Sequence, residues 1–301
     1  MSLRVALLGG TGWVGRHACA AFAQRGYGVI AVARHPPSHS PAHRFHQCDL
    51  AAASTETIAA MLRSERVDIV VNATDSTNTT DGWERTEEQH RRVNVDLVER
   101  LLAAAGTLSW RVKLVHLGTI HEYGPVPSGT AIAESHAARP ATSYARSKLA
   151  GSEAVLRASV VDGVVLRLVN LCGPHPSPDS FPGKLLRSVR AGVATVTIAD
   201  AQRDFVDVRD VVEAVVTAAA AGEPQHRVVN IGSGAPVEIR ALVRMFLTEA
   251  GATGVQVLDG PVRSLGGDWT QADITLAGSL LGWRPRIPLR QSLRDMWLSA
   301  Q

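Results

Sequence analysis

The sequence predicts an α/β fold: a doubly wound parallel sheet with a smaller C-terminal α/β lobe. Short apolar runs alternate with helical stretches through the first half of the 301 residues, and Pro- and Gly-bearing loops begin after residue 172. This alternation is typical of parallel sheets, whose strands are apolar throughout because helices cover both faces. We expect the sheet domain over residues 1–172, with segments from about 203–232 returning to it, and the lobe mainly over residues 173–301.

Five apolar runs fit buried strands, at residues 3–8, 29–33, 67–71, 112–117 and 164–168. Helical spacing follows the first run, at Trp13, Val14, His17, Ala18, Ala21 and Phe22. It recurs before the fourth run, at Val95, Leu97, Val98, Leu101 and Leu102, and Gly106 ends that stretch. Residues spaced in this way lie on one face of a helix, so we expect crossover helices between the strands.

Composition narrows the classes of function. The formal charge is +3 and the basic residues are scattered, which disfavours nucleic acid and suits anionic small molecules. Cys19, Cys48 and Cys172 lack the spacing of metal ligands, so we expect free thiols and no metal site. The first residues do not follow the order of a signal peptide, and no apolar stretch approaches the roughly 20 residues of a membrane helix. We therefore expect a cytoplasmic protein without a membrane partner.

The first predicted strand runs directly into a glycine-rich turn, Gly9-Gly10-Thr11-Gly12-Trp13-Val14-Gly15. The three glycines at 9, 12 and 15 permit a sharp turn and close approach of a pyrophosphate, and the helix N-terminus offers free N–H groups. Strand, turn and helix together predict a dinucleotide-binding Rossmann domain. The expected cofactor contacts are Gly9, Thr11, Gly12, Trp13, Val14 and Gly15, and the alternative is a glycine-rich turn without a ligand.

Arg34 ends the second predicted strand, where NAD-binding domains place an acidic residue on the ribose 2′-hydroxyl. A guanidinium suits a 2′-phosphate instead. The sequence therefore predicts NADPH as the cofactor rather than NADH, with a solvated arginine as the alternative.

Tyr144 and Lys148 stand as Y-x-x-x-K at the start of a helical stretch. Spacing of four residues places phenol and ammonium on one helix face, and a nearby positive charge favours the phenolate of a tyrosine. The pair is therefore a candidate proton-transfer site, although a tyrosine and lysine at this spacing are also common on helix surfaces. Thr119 ends the fourth predicted strand, and ligands of open parallel sheets bind outside such strand ends.

These motifs together resemble the extended short-chain dehydrogenases/reductases, the NAD-dependent epimerase/dehydratase family. Later segments agree in order, at residues 166–174, 203–208, 230–234 and 281–285. The resemblance implies a catalytic set of Thr119, Tyr144 and Lys148, in which the threonine binds the substrate oxygen. It implies further cofactor contacts at Asp49, Leu50, Asn72, Ala73, Thr74, Tyr144, Lys148 and Asn170. It also implies a nucleotide-sugar substrate held by Thr119, His121, Asn170, Lys184 and Arg203.

The segment after Thr119 narrows the expected activity. Sugar-nucleotide dehydratases of the family carry Asp-Glu there, whereas this chain has Ile120-His121, and an isoleucine cannot transfer a proton. On an extended segment His121 would face the same way as Thr119 and touch the sugar. His175, in a Gly-Pro-His segment, is a weaker candidate.

Residues 117–125 most resemble 4-ketoreductases of nucleotide-linked deoxysugars. We therefore expect NADPH-dependent reduction of the 4-keto group of a dTDP-linked 4-keto-6-deoxyhexose. The alternatives are a 4-epimerase that retains NAD, a reductase of other carbonyl compounds, and a non-catalytic NADP-sensing protein. The resemblance also implies a homodimer formed through helices near residues 90–105 and 144–158.

Overall fold

The computed structural model describes residues 2–37, 43–76, 86–222, 227–260 and 267–300. Twelve strands lie in these ranges: Arg4–Leu8 (β1), Gly28–Ala33 (β2), Arg44–Gln47 (β3), Ile69–Asn72 (β4), Val112–Thr119 (β5), Val161–Leu168 (β6), Asn170–Cys172 (β7), Thr195–Ile198 (β8), Gln202–Asp207 (β9), Val228–Ile231 (β10), Pro236–Glu238 (β11) and Gln256–Asp259 (β12).

Ten α-helices accompany these strands within the described ranges: Trp13–Gln24 (α1), Thr55–Ser64 (α2), Glu87–Arg91 (α3), Leu97–Gly106 (α4), Ser143–Arg157 (α5), Phe181–Arg190 (α6), Val208–Ala220 (α7), Ile239–Glu249 (α8), Thr275–Leu281 (α9) and Leu289–Leu298 (α10). A π-helical turn, Arg92–Asp96, joins α3 to α4, and a 3₁₀ turn, Ile120–Tyr123, follows β5. None of the described helices is long and apolar enough to cross a bilayer.

The main sheet has seven strands in the order β10-β6-β5-β4-β1-β2-β3, all paired in parallel. The chain moves outward from β1 to β3 and then returns to β4 on the other side of β1. This reversal between β1 and β4 is the switch point at which Rossmann folds bind ligands. The predicted fold class is therefore confirmed.

Helices cover both faces of this sheet, which explains the apolar character of its strands. Successive side chains of a strand point to opposite faces. Accordingly, Val5 and Leu7 join a buried cluster with α1 and α7, whereas Ala6 and Leu8 join one with α2 and α4. The sheet is a sandwiched core, so its reactive groups lie at the ends of the strands.

Two smaller sheets and a third apolar cluster occupy much of the C-terminal half. The sheets are ordered β11-β9-β7 and β12-β8. The cluster includes Leu186 of α6, Phe246 of α8 and Met296 of α10, all buried. The division at residue 172 stays a prediction, although β10 does pair with β6 in the main sheet.

The five predicted strands all exist, with ends shifted by up to three residues. Two strands of the main sheet, β3 and β10, were not among the predicted strands. Both lie at an edge of the sheet, and three of the four residues of β3, Arg-Phe-His-Gln, are polar. An edge strand has solvent on one side and needs no continuous apolar run.

Candidate active site

The glycine turn after β1 is packed against its surroundings so tightly that side chains do not fit. Gly9 has φ of +78°, and a Cβ there would lie 2.8 Å from the Ala73 carbonyl oxygen of the loop after β4. A Cβ on Gly15 would lie 2.1 Å from the carbonyl oxygen of Gly9. Gly12 is the N-cap residue directly before α1, and no side chain of the described residues caps this helix. The turn thus places uncapped N–H groups at the switch point, which fits a bound pyrophosphate.

Trp13 contributes to this turn in an unexpected way. Its indole Nε1 donates to the carbonyl oxygen of Pro174 at 2.9 Å, and His17 Nε2 lies 3.2 Å from the same oxygen. The indole therefore ties α1 to the segment after β7. Because the indole N–H is engaged in this bond, the predicted contact of Trp13 with the cofactor would be made by its backbone N–H.

The predicted adenine side of the site follows β2 and β3. Arg34 is exposed, and its carbonyl oxygen accepts a hydrogen bond from Gln47 Nε2 at 3.0 Å. Among the described residues no carboxylate forms an ion pair with its guanidinium. Asp49 is exposed, whereas Leu50 is buried, and Arg100 holds this loop by donating to the Leu50 carbonyl oxygen at 3.1 Å.

The loop after β4 is held by Asn72. Its Oδ1 accepts hydrogen bonds from the backbone N and the Oγ1 of Thr74, at 3.2 and 2.6 Å. Its Nδ2 therefore donates to Nδ1 of the buried His116, 3.1 Å away. Burial and the charge of Lys148 hold the pKa of His116 well below its usual range, so this histidine is neutral.

Tyr144 and Lys148 both lie on the buried face of α5, 6% and 3% exposed. Thr142 caps the helix by accepting from the Ala145 amide at 3.1 Å. Lys148 Nζ donates to the carbonyl oxygen of Leu117, 2.6 Å away, near the end of β5. The pair is therefore a buried arrangement rather than a surface pair, and the ammonium is fixed two residues before Thr119.

Thr119 ends β5 and caps the 3₁₀ turn that follows. Its Oγ1 accepts from the His121 amide at 3.4 Å, and its own amide donates to Glu122 Oε1 at 3.0 Å. The expectation of an extended segment after Thr119 is wrong, because this reciprocal capping favours a helical turn. The Lys148 ammonium, bound to the Leu117 carbonyl oxygen, nevertheless lies near the carboxyl end of β5, where Thr119 is the last residue.

Two groups near Tyr144 were missed by the sequence analysis. The Tyr144 hydroxyl donates to Asp75 Oδ2 at 2.9 Å, so the loop after β4 contacts the phenol directly. Asn94, in the π-helical turn, donates to the Oγ atoms of Ser76 and Ser147, both at 2.9 Å. These contacts join the loop after β4 to the helix that carries Tyr144.

His121 and Arg203 lie close enough for their charges to interact. Desolvation and the positive charge of Arg203 lower the pKa of His121 to about 4. Desolvation also lowers the pKa of the buried Arg203 to about 10. At neutral pH the site therefore contains a neutral imidazole beside a charged guanidinium. This brings together two of the predicted substrate residues.

The remaining predicted residues lie on the C-terminal half. Asn170 begins β7, and its Nδ2 donates to the carbonyl oxygen of Asp204 at 3.3 Å. Lys184 is exposed on α6. His175 has φ of +51°, and its ring stacks on His17 of α1 at 6.2 Å between centroids. Substrate contacts by these residues stay predictions.

A family model, the "NAD dependent epimerase/dehydratase family", matches residues 5–232. The chain belongs to that family. The match spans the glycine turn, Thr119, Tyr144 and Lys148, and it confirms the resemblance read from their motifs. A nicotinamide cofactor is therefore part of the function of this family member.

Two curated relatives of the epimerase/dehydratase family cover almost the whole chain. One, from Kitasatospora kifunensis, is named dTDP-6-deoxy-L-talose 4-dehydrogenase (NAD(P)(+)); it is 39% identical over 308 residues, covering 98% of this chain and 94% of the relative. The other, from Pseudomonas aeruginosa, is named GDP-6-deoxy-D-mannose reductase and is 26% identical, covering 98% of this chain and 96% of the relative.

A solved structure is similar over the same length. MoeE5 in complex with UDP-glucuronic acid and NAD matches with a TM-score of 0.86 and 25% identity, covering 99% of this chain and 98% of that chain. The similarity includes the C-terminal half, so this chain and MoeE5 share both the main sheet and the elements that follow it.

Proposed function

We propose that this family member is an NADPH-dependent oxidoreductase that reduces the 4-keto group of a dTDP-linked 4-keto-6-deoxyhexose in the cytoplasm. The observation that carries the proposal is the loop at residues 72–76. This loop touches the glycine turn through Ala73 and the phenol of Tyr144 through Asp75. A cofactor at the glycine turn and a proton donor therefore converge on one strand end.

The similar proteins support chemistry at carbon 4 of such a sugar. The Kitasatospora relative is named for oxidation at that carbon, which is the reverse of the proposed reduction, and for either nicotinamide cofactor. The Pseudomonas relative is named as a reductase. Arg34, in place of an acidic residue after β2, favours NADPH.

Each candidate residue of the site has a separate role in the proposed reaction. When bound, NADPH supplies the hydride for the carbonyl carbon. Thr119 donates a hydrogen bond to the carbonyl oxygen, and Tyr144 transfers its phenolic proton to the alkoxide that develops there. Lys148 stabilises the phenolate that remains, since an ammonium one helical turn away favours the charged form. Arg203 binds the diphosphate, and the neutral His121 contacts the sugar.

The direct test is oxidation of NADPH on addition of dTDP-4-keto-6-deoxyglucose or its 2-deoxy analogue, with the product identified by NMR. We expect stoichiometric conversion to the 4-hydroxy sugar and a higher kcat/KM with NADPH than with NADH. No NADPH oxidation with either sugar would contradict the proposal.

A 4-epimerase is the second candidate, because the family is named for NAD-dependent epimerases and MoeE5 was solved with NAD and a nucleotide sugar. An epimerase would copurify with NAD and interconvert 4-hydroxy sugars without net consumption of cofactor. The assay therefore separates the two candidates. A homodimer through α4 and α5 stays a prediction that light scattering can check.

A further inference from the structure

Asp75 is a charged group that the structure places directly on the phenol of Tyr144. Its Oδ2 accepts the hydrogen bond from the hydroxyl at 2.9 Å. The tyrosine is buried and Asp75 is half-buried, so solvent screens the contact only in part. A carboxylate that accepts this bond stabilises the phenol over the phenolate.

We propose that Asp75 is a positioning residue that keeps Tyr144 protonated and thereby poised to donate. The expected consequence, that the enzyme favours reduction of the sugar over its oxidation, rests on the proposed function. Reduction needs a tyrosine that gives a proton, whereas oxidation of an alcohol needs a phenolate that accepts one.

The loop around Asp75 is anchored on both sides. Before it, Asn72 holds Thr74 by two hydrogen bonds. After it, the buried Ser76 bonds to His90 Nδ1 at 2.7 Å and to Asn94 Nδ2 at 2.9 Å. The hydrogen bonds of the neighbouring residues therefore fix the backbone of Asp75, and its carboxylate lies against the phenol because of the fold.

The other titratable groups around Tyr144 act differently. Lys148, one turn further along α5, favours the phenolate, but its ammonium binds the Leu117 carbonyl oxygen at 2.6 Å. His90 of α3 meets the phenol ring edge to face, 5.7 Å between centroids. His116 of β5 is neutral because burial and Lys148 lower its pKa. Among the groups that the structure describes here, Asp75 is thus an anion that opposes Lys148 at the hydroxyl itself.

The two charges have complementary roles during turnover. The proton leaves the Tyr144 oxygen for the substrate oxygen, and Lys148 then stabilises the phenolate. Water returns a proton to the phenolate, and Asp75 favours this step because two negative charges at hydrogen-bond distance repel each other. Atoms and charge balance over the cycle, with the consumed proton taken from solvent.

The test is an ultraviolet titration of phenolate absorbance, which needs no substrate. The chain has three tyrosines, so subtracting the titration of Tyr144→Phe isolates the signal of Tyr144. Asp75→Asn keeps the shape and an acceptor but removes the charge, and Asp75→Ala removes both. We expect the pKa of Tyr144 to fall by about one unit or more in each variant.

The matched control is Glu153→Gln, which removes a carboxylate from the exposed face of the same helix, where it pairs with Arg157 at 3.1 Å. The control should leave the pKa of Tyr144 unchanged. An unchanged or raised pKa in the Asp75 variants would overturn the inference.

The activity assay separates this inference from the proposed function. With the 4-keto sugar, the alkaline limb of kcat/KM for NADPH oxidation should move to lower pH in Asp75→Asn by the amount seen in the titration. If wild type turns over no sugar, the proposed function fails and the titration still decides the role of Asp75. If wild type is active, but the Asp75 variants change neither the alkaline limb of kcat/KM nor the pKa of Tyr144, only the proposed role of Asp75 is wrong.

Discussion

Glu122 and Arg167 form an ion pair beneath the end of β5, with 2.7 Å between Oε2 and Nε and side-chain exposures of 0% and 7%. The other oxygen of Glu122 accepts from the Thr119 amide at 3.0 Å and from Ser152 Oγ at 2.9 Å. Each oxygen of the carboxylate therefore has a partner, and one of these partners fixes the backbone of the candidate catalytic threonine.

Replacing Glu122 by Gln should destabilise the protein strongly. The change leaves the Arg167 guanidinium buried without its counter-charge, and breaking a buried pair in this way costs about 3–5 kcal/mol. Urea unfolding measures the free energy. Glu153→Gln makes the same chemical change in an exposed pair and should cost under about 1 kcal/mol. Equal losses in both variants would show that burial of the pair is not what matters.

Gly15→Ala should abolish cofactor binding while leaving most of the chain folded. The new Cβ would lie 2.1 Å from the Gly9 carbonyl oxygen, so the turn and the start of α1 must move apart. Calorimetric titration with NADPH checks the loss. Gly254→Ala is the control, because nothing lies within 4 Å of its Cβ position. Wild-type affinity in Gly15→Ala would contradict the packing argument.

Arg34→Glu should reverse the cofactor preference. A carboxylate repels a 2′-phosphate and accepts a hydrogen bond from a 2′-hydroxyl. We expect the ratio of kcat/KM for NADPH to that for NADH to fall by roughly tenfold or more, since one charge contact contributes about 1.5 kcal/mol or above. Arg63→Glu, on α2, serves as the control for added negative charge. A ratio unchanged by Arg34→Glu would remove this residue from the cofactor site.

Stability should fall in mild acid because of His121. Its pKa in the folded protein is about 4, below the 6.5 of a free histidine. Between these values the unfolded chain binds a proton that the folded chain does not, so the free energy of unfolding decreases as the pH falls from about 6.5 towards 4. His121→Asn should flatten this slope in part, since the buried His116 acts in the same direction. A slope identical to wild type would contradict the assignment.

The buried strands and the glycine turn were predictable because their causes are local. A strand covered on both faces must be apolar, and a turn that folds back on itself needs glycine. The same reasoning overlooked β3, where the edge position relaxes the requirement for apolar residues. The capping of Thr119 by Glu122 was also within reach, since Thr-x-x-Glu is a signature of a helical start.

The contact between Asp75 and Tyr144 could not be read from the sequence. The two residues lie 69 positions apart and meet only because β4 and β5 are neighbours in the sheet and α5 packs back onto β5. Nothing in the composition of residues 72–76 distinguishes a loop carboxylate in solvent from one that faces a phenol. The same holds for the proximity of Arg203 to His121. Arg203 lies near the start of β9, whereas His121 lies in the turn that follows β5.

In the proposed reaction the phenol of Tyr144 protonates the substrate oxygen. The most direct measurement is single-turnover oxidation of NADPH by Tyr144→Phe with dTDP-4-keto-6-deoxyglucose, compared with wild type. Loss of a positioned acid slows such a step by about 10²–10⁴-fold. We predict a loss of this size with unchanged affinity for NADPH, whereas a rate equal to wild type would contradict the mechanism.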